Sequence, residues 1–207
     1  MVSNNSQNKV NYDRVMDDTI SKFTVNGKKP KVLLHSCCAP CSSACLERLM
    51  EICDVTVYFY NPNMDSEQEY NHRLDEQKRL CATLGVECIF EEYNADEFYG
   101  AVRGLENAPE GGIRCERCFW IRLSKSAEKA KAGGYDFFTT TLTVSPLKNS
   151  ELINAVGQRV EKETGVKFLN SDFKKRNGYL RSIELSKKYV LYRQNYCGCK
   201  FSRREDN

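Results

Sequence analysis

The chain has 207 residues, 41% hydrophobic and 29% charged, with a formal net charge of +3. That is enough apolar material for one globular core and too much for a disordered chain. Its 11 cysteines amount to about 5%, below the roughly 8–10% of a small disulfide scaffold. No stretch approaches the roughly 18 consecutive apolar residues of a membrane span. Residues 1–9 are polar and lack the apolar segment of a signal peptide, so a cytoplasmic location is expected, where structural disulfides are rare. The cysteines should then be metal ligands, redox groups or core residues.

In chain order, residues 1–30 read as a polar leader with a short helix at 12–23. An apolar run, Val32-Leu33-Leu34, predicts a strand that enters a cysteine-rich turn and then a helix over 42–52. A second strand at 55–60 stops at Asn61-Pro62-Asn63, and an amphipathic helix over 66–84 and a strand at 86–90 follow. A helix over 114–132 closes at Gly133-Gly134, a favourable C-terminal signal. After it come a β-branched and aromatic strand at 135–142, a helix at 150–164 and a last strand at 166–169. Strands alternating with helices predict a Rossmann-like α/β domain over 31–202, its parallel sheet flanked by helices, followed by a charged tail at 203–207. Its C-terminal segment is both cysteine-rich and basic. Residues 174–207 carry a net +7 against −4 for the rest, and Tyr179, Tyr189, Tyr192 and Tyr196 are interleaved with the cations. Such a stretch suits a phosphate backbone with exposed bases to stack, or else is a solvated tail with core tyrosines.

Ligands of doubly wound sheets bind where strands end and helices begin. The first strand runs straight into His35-Ser36-Cys37-Cys38-Ala39-Pro40-Cys41-Ser42-Ser43. Ser42 or Ser43 is expected to cap the next helix, whose N-terminal dipole favours thiolates. A second group, Arg114-Cys115-Glu116-Arg117-Cys118, follows the turn Pro109-Glu110-Gly111-Gly112. Cysteines three apart at a helix start aim both sulfurs at one point, as in zinc and iron–sulfur sites, and the flanking arginines would offset anionic charge. The third group, Cys197-Gly198-Cys199 between Arg193 and Lys200, is too tight for comfortable joint ligation and suits a readily reduced disulfide. Cys45, Cys53, Cys81 and Cys88 sit in apolar contexts and read as core residues. His35 is a candidate proton donor or second-layer hydrogen-bond partner, and His72 reads as exposed.

Spacing alone leaves zinc and iron–sulfur open. A dithiol beside the site has a use with an electron-transfer cluster and none with structural zinc, so chemistry favours iron–sulfur. Two rival classes are a metal-free thiol–disulfide oxidoreductase and a zinc-stabilised module that binds nucleic acid without chemistry. A nucleotide-dependent sulfur-transfer enzyme is disfavoured because the first strand ends in cysteines rather than a Gly/Ser-rich phosphate loop.

Taken in order, these segments resemble one family. They are His35 to Cys41, Tyr58-Phe59-Tyr60-Asn61-Pro62-Asn63, Pro109 to Cys118, Thr139-Thr140-Thr141-Leu142 with Ser145-Pro146 and Lys148, and Tyr192-Arg193-Gln194 with Tyr196-Cys197-Gly198-Cys199. The resemblance is to the QueH-type epoxyqueuosine reductases, and it runs from about residue 31 to 202. It implies reduction of the epoxide of epoxyqueuosine to queuosine at the wobble position of tRNA. It further implies a 4Fe-4S cluster on Cys37, Cys38, Cys115 and Cys118, and a redox-active pair, Cys197 and Cys199. An additional iron ion would take Cys41 as ligand, and an external electron donor would restore the pair. His35 or Tyr196 would protonate the departing oxygen. Arg193, Lys200, Arg203 and Arg204 would hold anticodon-stem phosphates, with the unstacked base on Tyr192 or Tyr196.

Overall fold

A computed structural model describes residues 9–24 and 27–203. Four parallel strands form one sheet in the order β3-β2-β1-β4, with β1 at Lys31–Ser36, β2 at Asp54–Phe59, β3 at Glu87–Phe90 and β4 at Phe137–Thr140. Side chains alternate across a strand, and β1 therefore feeds two cores. Val32 and Leu34 point to one face, where α1 (Tyr12–Phe23), α2 (Ala39–Leu49) and the end of α3 (Glu67–Leu84) cover them. Leu33 points to the other, beneath α5 (Ile113–Gly133) and α6 (Ser150–Thr164). All three are fully buried, each stabilising the fold by about 1.5–3 kcal/mol. From β1 the chain winds outward through β2 and β3, then returns by α4 (Ala95–Ala101) and α5 to place β4 on the opposite side of β1. The sheet thus switches direction between β1 and β4, and a crevice opens at their C-terminal ends.

Helices at 12–23 and 150–164 match their expected bounds, and the others differ by a few residues at the ends. The cysteine turn differs for a chemical reason. Helix α2 starts at Ala39 because Cys38 is its cap: its sulfur accepts the Cys41 amide (3.3 Å), and Pro40 needs no amide partner in the first turn. Ser42 and Ser43 are not caps; their hydroxyls donate back to the carbonyls of Ala39 and Pro40. Strand β4 is shorter than expected, because Thr140 Oγ1 accepts the Leu142 amide (3.2 Å) and turns Thr141–Val144 into a 3-10 helix. The expected strand at 166–169 is a single parallel bridge, Phe138 to Phe168, that extends no further. Two helices, α4 and α7 (Gly178–Lys188), were not foreseen.

Of the stretch read as a leader, the described helix α1 is not separate from the domain. Met16 and Ile20 of α1 are buried in the core with Val32, Leu49 and Phe137. Asp13 and Asp17 both pair with Arg48 of α2 (2.5 and 2.8 Å) and with Arg176 ahead of α7. Of the expected tail, Arg203 is described and 204–207 lie outside the described residues.

After α7, Arg79 of α3 clamps the chain by donating to the carbonyls of Tyr189 (2.9 Å) and Val190 (2.8 Å). The clamp holds Val190, 81% exposed, at φ 52°, where a β-branched side chain is strained. Val190→Gly is therefore expected to stabilise the protein by about 1 kcal/mol, a rise of about 2–4 °C in Tm for a chain of this size. A thermal melt that shows no gain, or a loss, would contradict the strain.

Candidate active site

The crevice between β1 and β4 opens into a cleft of about 410 Å³ lined by Cys37, Cys41, Cys197, Arg73, Arg122 and Tyr196, among others. A smaller neighbouring space of about 40 Å³ is lined by Cys115, Cys118, Cys197 and Cys199. Both are bordered by Glu110, Arg122, Lys148, Cys197 and Ser202. All three cysteine groups predicted from sequence therefore meet at one place.

The first group is held by the ends of β1 and β4. The Thr141 hydroxyl accepts the Cys37 amide (3.3 Å) and lies 3.5 Å from its sulfur. The ligand atoms of Cys37, Cys38 and Cys41 all lie within 4.8 Å of one another, a spacing that can hold a metal ion. Cys38 and Cys41 are joined as a disulfide, the one disulfide among the described residues, so it falls here and not on Cys197 and Cys199.

The second group opens α5. The Gly111 amide donates to Cys115 Sγ (3.2 Å), and Cys118 is buried, its thiol pushed up to about 11 by burial, with Arg122 pulling the other way. The expected counter-charges, Arg114 and Arg117, do not serve. Arg114 turns away to bind the carbonyls of Glu106 and Ala108 and lies over Phe201, and Arg117 is exposed. Arg122 takes the role instead. It is 3% exposed and has no carboxylate partner among the described residues. Burial opposes its charge, but the fields of Cys118, Cys37, Cys197 and Cys115 raise its pKa further. The signal was in the sequence: 115, 118 and 122 fall at i, i+3 and i+7 on one helical face.

The third group hangs from the β2–α3 loop. Asn63 Nδ2 donates to the Cys197 carbonyl (3.4 Å), and the Asp65 amide donates to the Gly198 carbonyl (2.8 Å). The neighbouring Cys199 thiol lowers the Cys197 pKa, against burial and with help from Lys148 and Ser202. The same loop reaches the first group, because Asn61 Nδ2 donates to the Ser36 carbonyl (2.9 Å).

Two expectations for single residues change. His35 is fully buried, with Nε2–H directed at the Tyr60 carbonyl (3.0 Å) and Nδ1 facing the Thr140 hydroxyl (2.9 Å). Burial, with Arg122, drives its pKa down to about 3, so it is neutral and serves as a post between β1, β2 and β4 rather than as a proton donor. The basic C-terminal segment is largely engaged within the fold. Arg176 pairs with Asp13 and Asp17, Arg181 with Glu47 and Glu184, and Arg203 with Asp65. Arg193 donates to the Ser182 carbonyl and to Ser186, and Lys200 lies over Tyr99 and Phe201. Tyr192 is 38% exposed and meets His72 edge-on (4.4 Å).

The sequence pattern of the family described as "Epoxyqueuosine reductase QueH" matches residues 32–205. The chain belongs to the QueH family. The epoxyqueuosine reductase QueH of Streptococcus pyogenes serotype M1 is 44% identical over 204 residues, covering 96% of this chain and 80% of its own. The QueH of Thermotoga maritima is 37% identical, covering 83% of this chain and 89% of its own. Membership makes the protein an epoxyqueuosine reductase, an oxidoreductase of queuosine biosynthesis. A U34-tRNA thiolase, NcsA from Methanococcus maripaludis, solved with its [4Fe-4S] cluster, shares the fold. Its TM-score is 0.56 at 13% identity, over 93% of this chain and 67% of that one. Among the described residues no helix is long and apolar enough to cross a membrane.

Proposed function

We propose that this QueH protein reduces the epoxide of epoxyqueuosine at the wobble position of tRNA, using a 4Fe-4S cluster on Cys37, Cys38, Cys115 and Cys118 and a dithiol formed by Cys197 and Cys199. The observation that carries this reading is the meeting of all three cysteine groups around one buried, carboxylate-free cation, Arg122. The donor set fits such a cluster: four thiolates make it anionic, and Arg122 supplies positive charge where water cannot. Cys38 and Cys41 enter the ligand set in their reduced form, with Cys41 reserved for an additional iron ion. When bound, the cluster passes electrons singly. The nine free cysteines suit a reducing cytoplasm.

The dithiol meets the demand of the reaction. Converting the epoxide to an alkene removes one oxygen and takes up two electrons and two protons. Closing Cys197 and Cys199 to a disulfide releases two of each, so epoxide plus dithiol gives alkene, disulfide and water. An external electron donor then reopens the disulfide. Cys197, the thiol of lowered pKa, is the sulfur that acts first. Lys148 borders both spaces and steadies negative charge there. With His35 out of reach, Tyr196 and Glu110, both lining the cleft, are the proton sources. Tyr196 has its hydroxyl on Asp65 (3.2 Å) and its ring under Arg73 and Arg203, and Glu110 is the one carboxylate on either lining.

Anaerobic purification followed by an absorbance spectrum and metal analysis tests the proposal. A broad visible band bleached by reductant, with iron near four per chain or above, is expected; stoichiometric zinc without iron would overturn it, as would full activity in a metal-free protein. Cys197→Ser is expected to keep the iron of the parent and to lose multiple turnover. Loss of the visible band in that variant would mark Cys197 as a ligand rather than a redox group.

A further inference from the structure

A second pair of cysteines stands outside the cleft. Cys81, 1% exposed, lies in the last turn of α3, and Cys88, half-buried, is the second residue of β3. Gly85 ends α3 in the left-handed conformation and turns the chain back, so that the Val86 amide donates to the Cys81 carbonyl (2.9 Å). Val86 and Cys88, two residues apart along the strand, share a face, and both pack on the core that contains Cys81. Each thiol acts on the other: the Cys88 thiol lowers the Cys81 pKa, and Cys81 raises that of Cys88. Behind them, Gln77 is fully buried and donates Nε2–H to Cys81 Sγ (3.2 Å). Its Oε1 accepts from Ser36 (2.7 Å) and Ser42 (2.9 Å), and Ser36 is also bonded to the Cys38 carbonyl (3.2 Å). A core residue of the usual kind has no such polar apparatus, since a buried thiol needs none.

We propose that Cys81 and Cys88 are a second redox dithiol, separate from the cysteines of the cleft, that closes to an intramolecular disulfide on meeting a low-molecular-weight disulfide. Cys88, the more accessible of the two, passes its proton to Cys81 and attacks the small disulfide. A mixed disulfide forms at Cys88, and the first small thiolate leaves with the proton taken back from Cys81. The Cys81 thiolate, held by Gln77, then attacks Cys88 Sγ and expels the second small thiolate. The two cysteines are oxidised and one small disulfide is reduced to two thiols. Gln77 binds the Cys81 sulfur at one end and the serines on either side of Cys38 at the other, so closure of the outer pair reaches the cysteine turn. The dithiol itself does not rest on the epoxyqueuosine reading.

Mapping of thiols in the holoprotein tests this. The protein is exposed anaerobically to oxidised glutathione, then denatured, alkylated and digested with trypsin. Both cysteines fall on one tryptic peptide, residues 80–103. The expected product is that peptide without alkyl groups and two hydrogens lighter, and cleavage after Glu87 should leave its halves linked. In Cys88→Ser, at the half-buried position, Cys81 should be recovered in alkylated form. A doubly alkylated peptide, a persistent glutathione adduct on Cys88, or Cys81 linked to any other cysteine would each overturn the proposal. Metal content and turnover play no part in this readout, so a failure of the reductase reading leaves it standing.

Discussion

Arg122→Met is expected to lower metal retention roughly 100-fold while leaving the metal-free fold as stable as the parent. The asymmetry follows from the surroundings of the guanidinium. It is buried, its Nε donates to the Cys118 carbonyl (3.2 Å), and the charges nearest it are the sulfurs of Cys118, Cys37, Cys197 and Cys115. While these are neutral thiols, a buried cation costs desolvation, and an apolar side chain of similar length is neutral or stabilising. Once they are thiolates, its removal leaves buried negative charge uncompensated, a loss of about 3 kcal/mol or more. Iron per chain after anaerobic gel filtration should fall from stoichiometric to a few per cent, and turnover with it. Arg122→Lys should retain an intermediate share, because it keeps the charge and loses the planar reach to Asn61. Wild-type iron in Arg122→Met would show that the cysteines draw their counter-charge from elsewhere.

Gly198→Ala should reduce turnover by about 100-fold at little cost to global stability. Gly198 has φ 100°, which side chains rarely adopt, and a Cβ there would lie 2.3 Å from Met64 Sδ and 3.3 Å from Arg73 Nη1. Met64 is fully buried, so the loop must yield instead. Backbone strain of about 1–3 kcal/mol falls on a segment whose two sulfurs act by position, and a displacement of about 1 Å is enough for a loss of this size. Because the loop is local, Tm should drop by only a few degrees. A double variant with Met64→Ala relieves the clash and not the φ, so it should recover part of the activity. Full activity in Gly198→Ala would mean that the loop geometry is not used.

The sheet was legible because short apolar runs alternating with helical patterns leave little choice of class. Val32-Leu33-Leu34 reads as a strand buried on both faces, and it is one. Boundaries were lost where side chains compete with the backbone. The Cys38 sulfur caps α2 in place of Ser42, and Thr140 ends β4 early. That Cys37, Cys115 and Cys197 line adjoining spaces at one end of the sheet agrees with the switch-point rule. The partner of a cysteine is a matter of three-dimensional charge, which adjacency to Arg114 and Arg117 does not report and the buried Arg122 supplies. Likewise, the +7 of the C-terminal segment could not show that Asp13, Asp17, Glu47 and Asp65 reach across to pair with Arg176, Arg181 and Arg203. His35 looked reactive beside the cysteines; only burial reveals a post.

The Cys-Gly-Cys loop is fastened by its carbonyls, Cys197 to Asn63 and Gly198 to Asp65. Main-chain oxygens do not change with the oxidation state of sulfur, and beyond each other the paired thiols are tied by a side-chain hydrogen bond only to Ser202. The loop is therefore a hinge pin whose head turns while its shaft stays fixed. Electrons can come and go at the sulfurs without the scaffold having to refold, so the two carbonyl anchors should be the same with that pair open or closed.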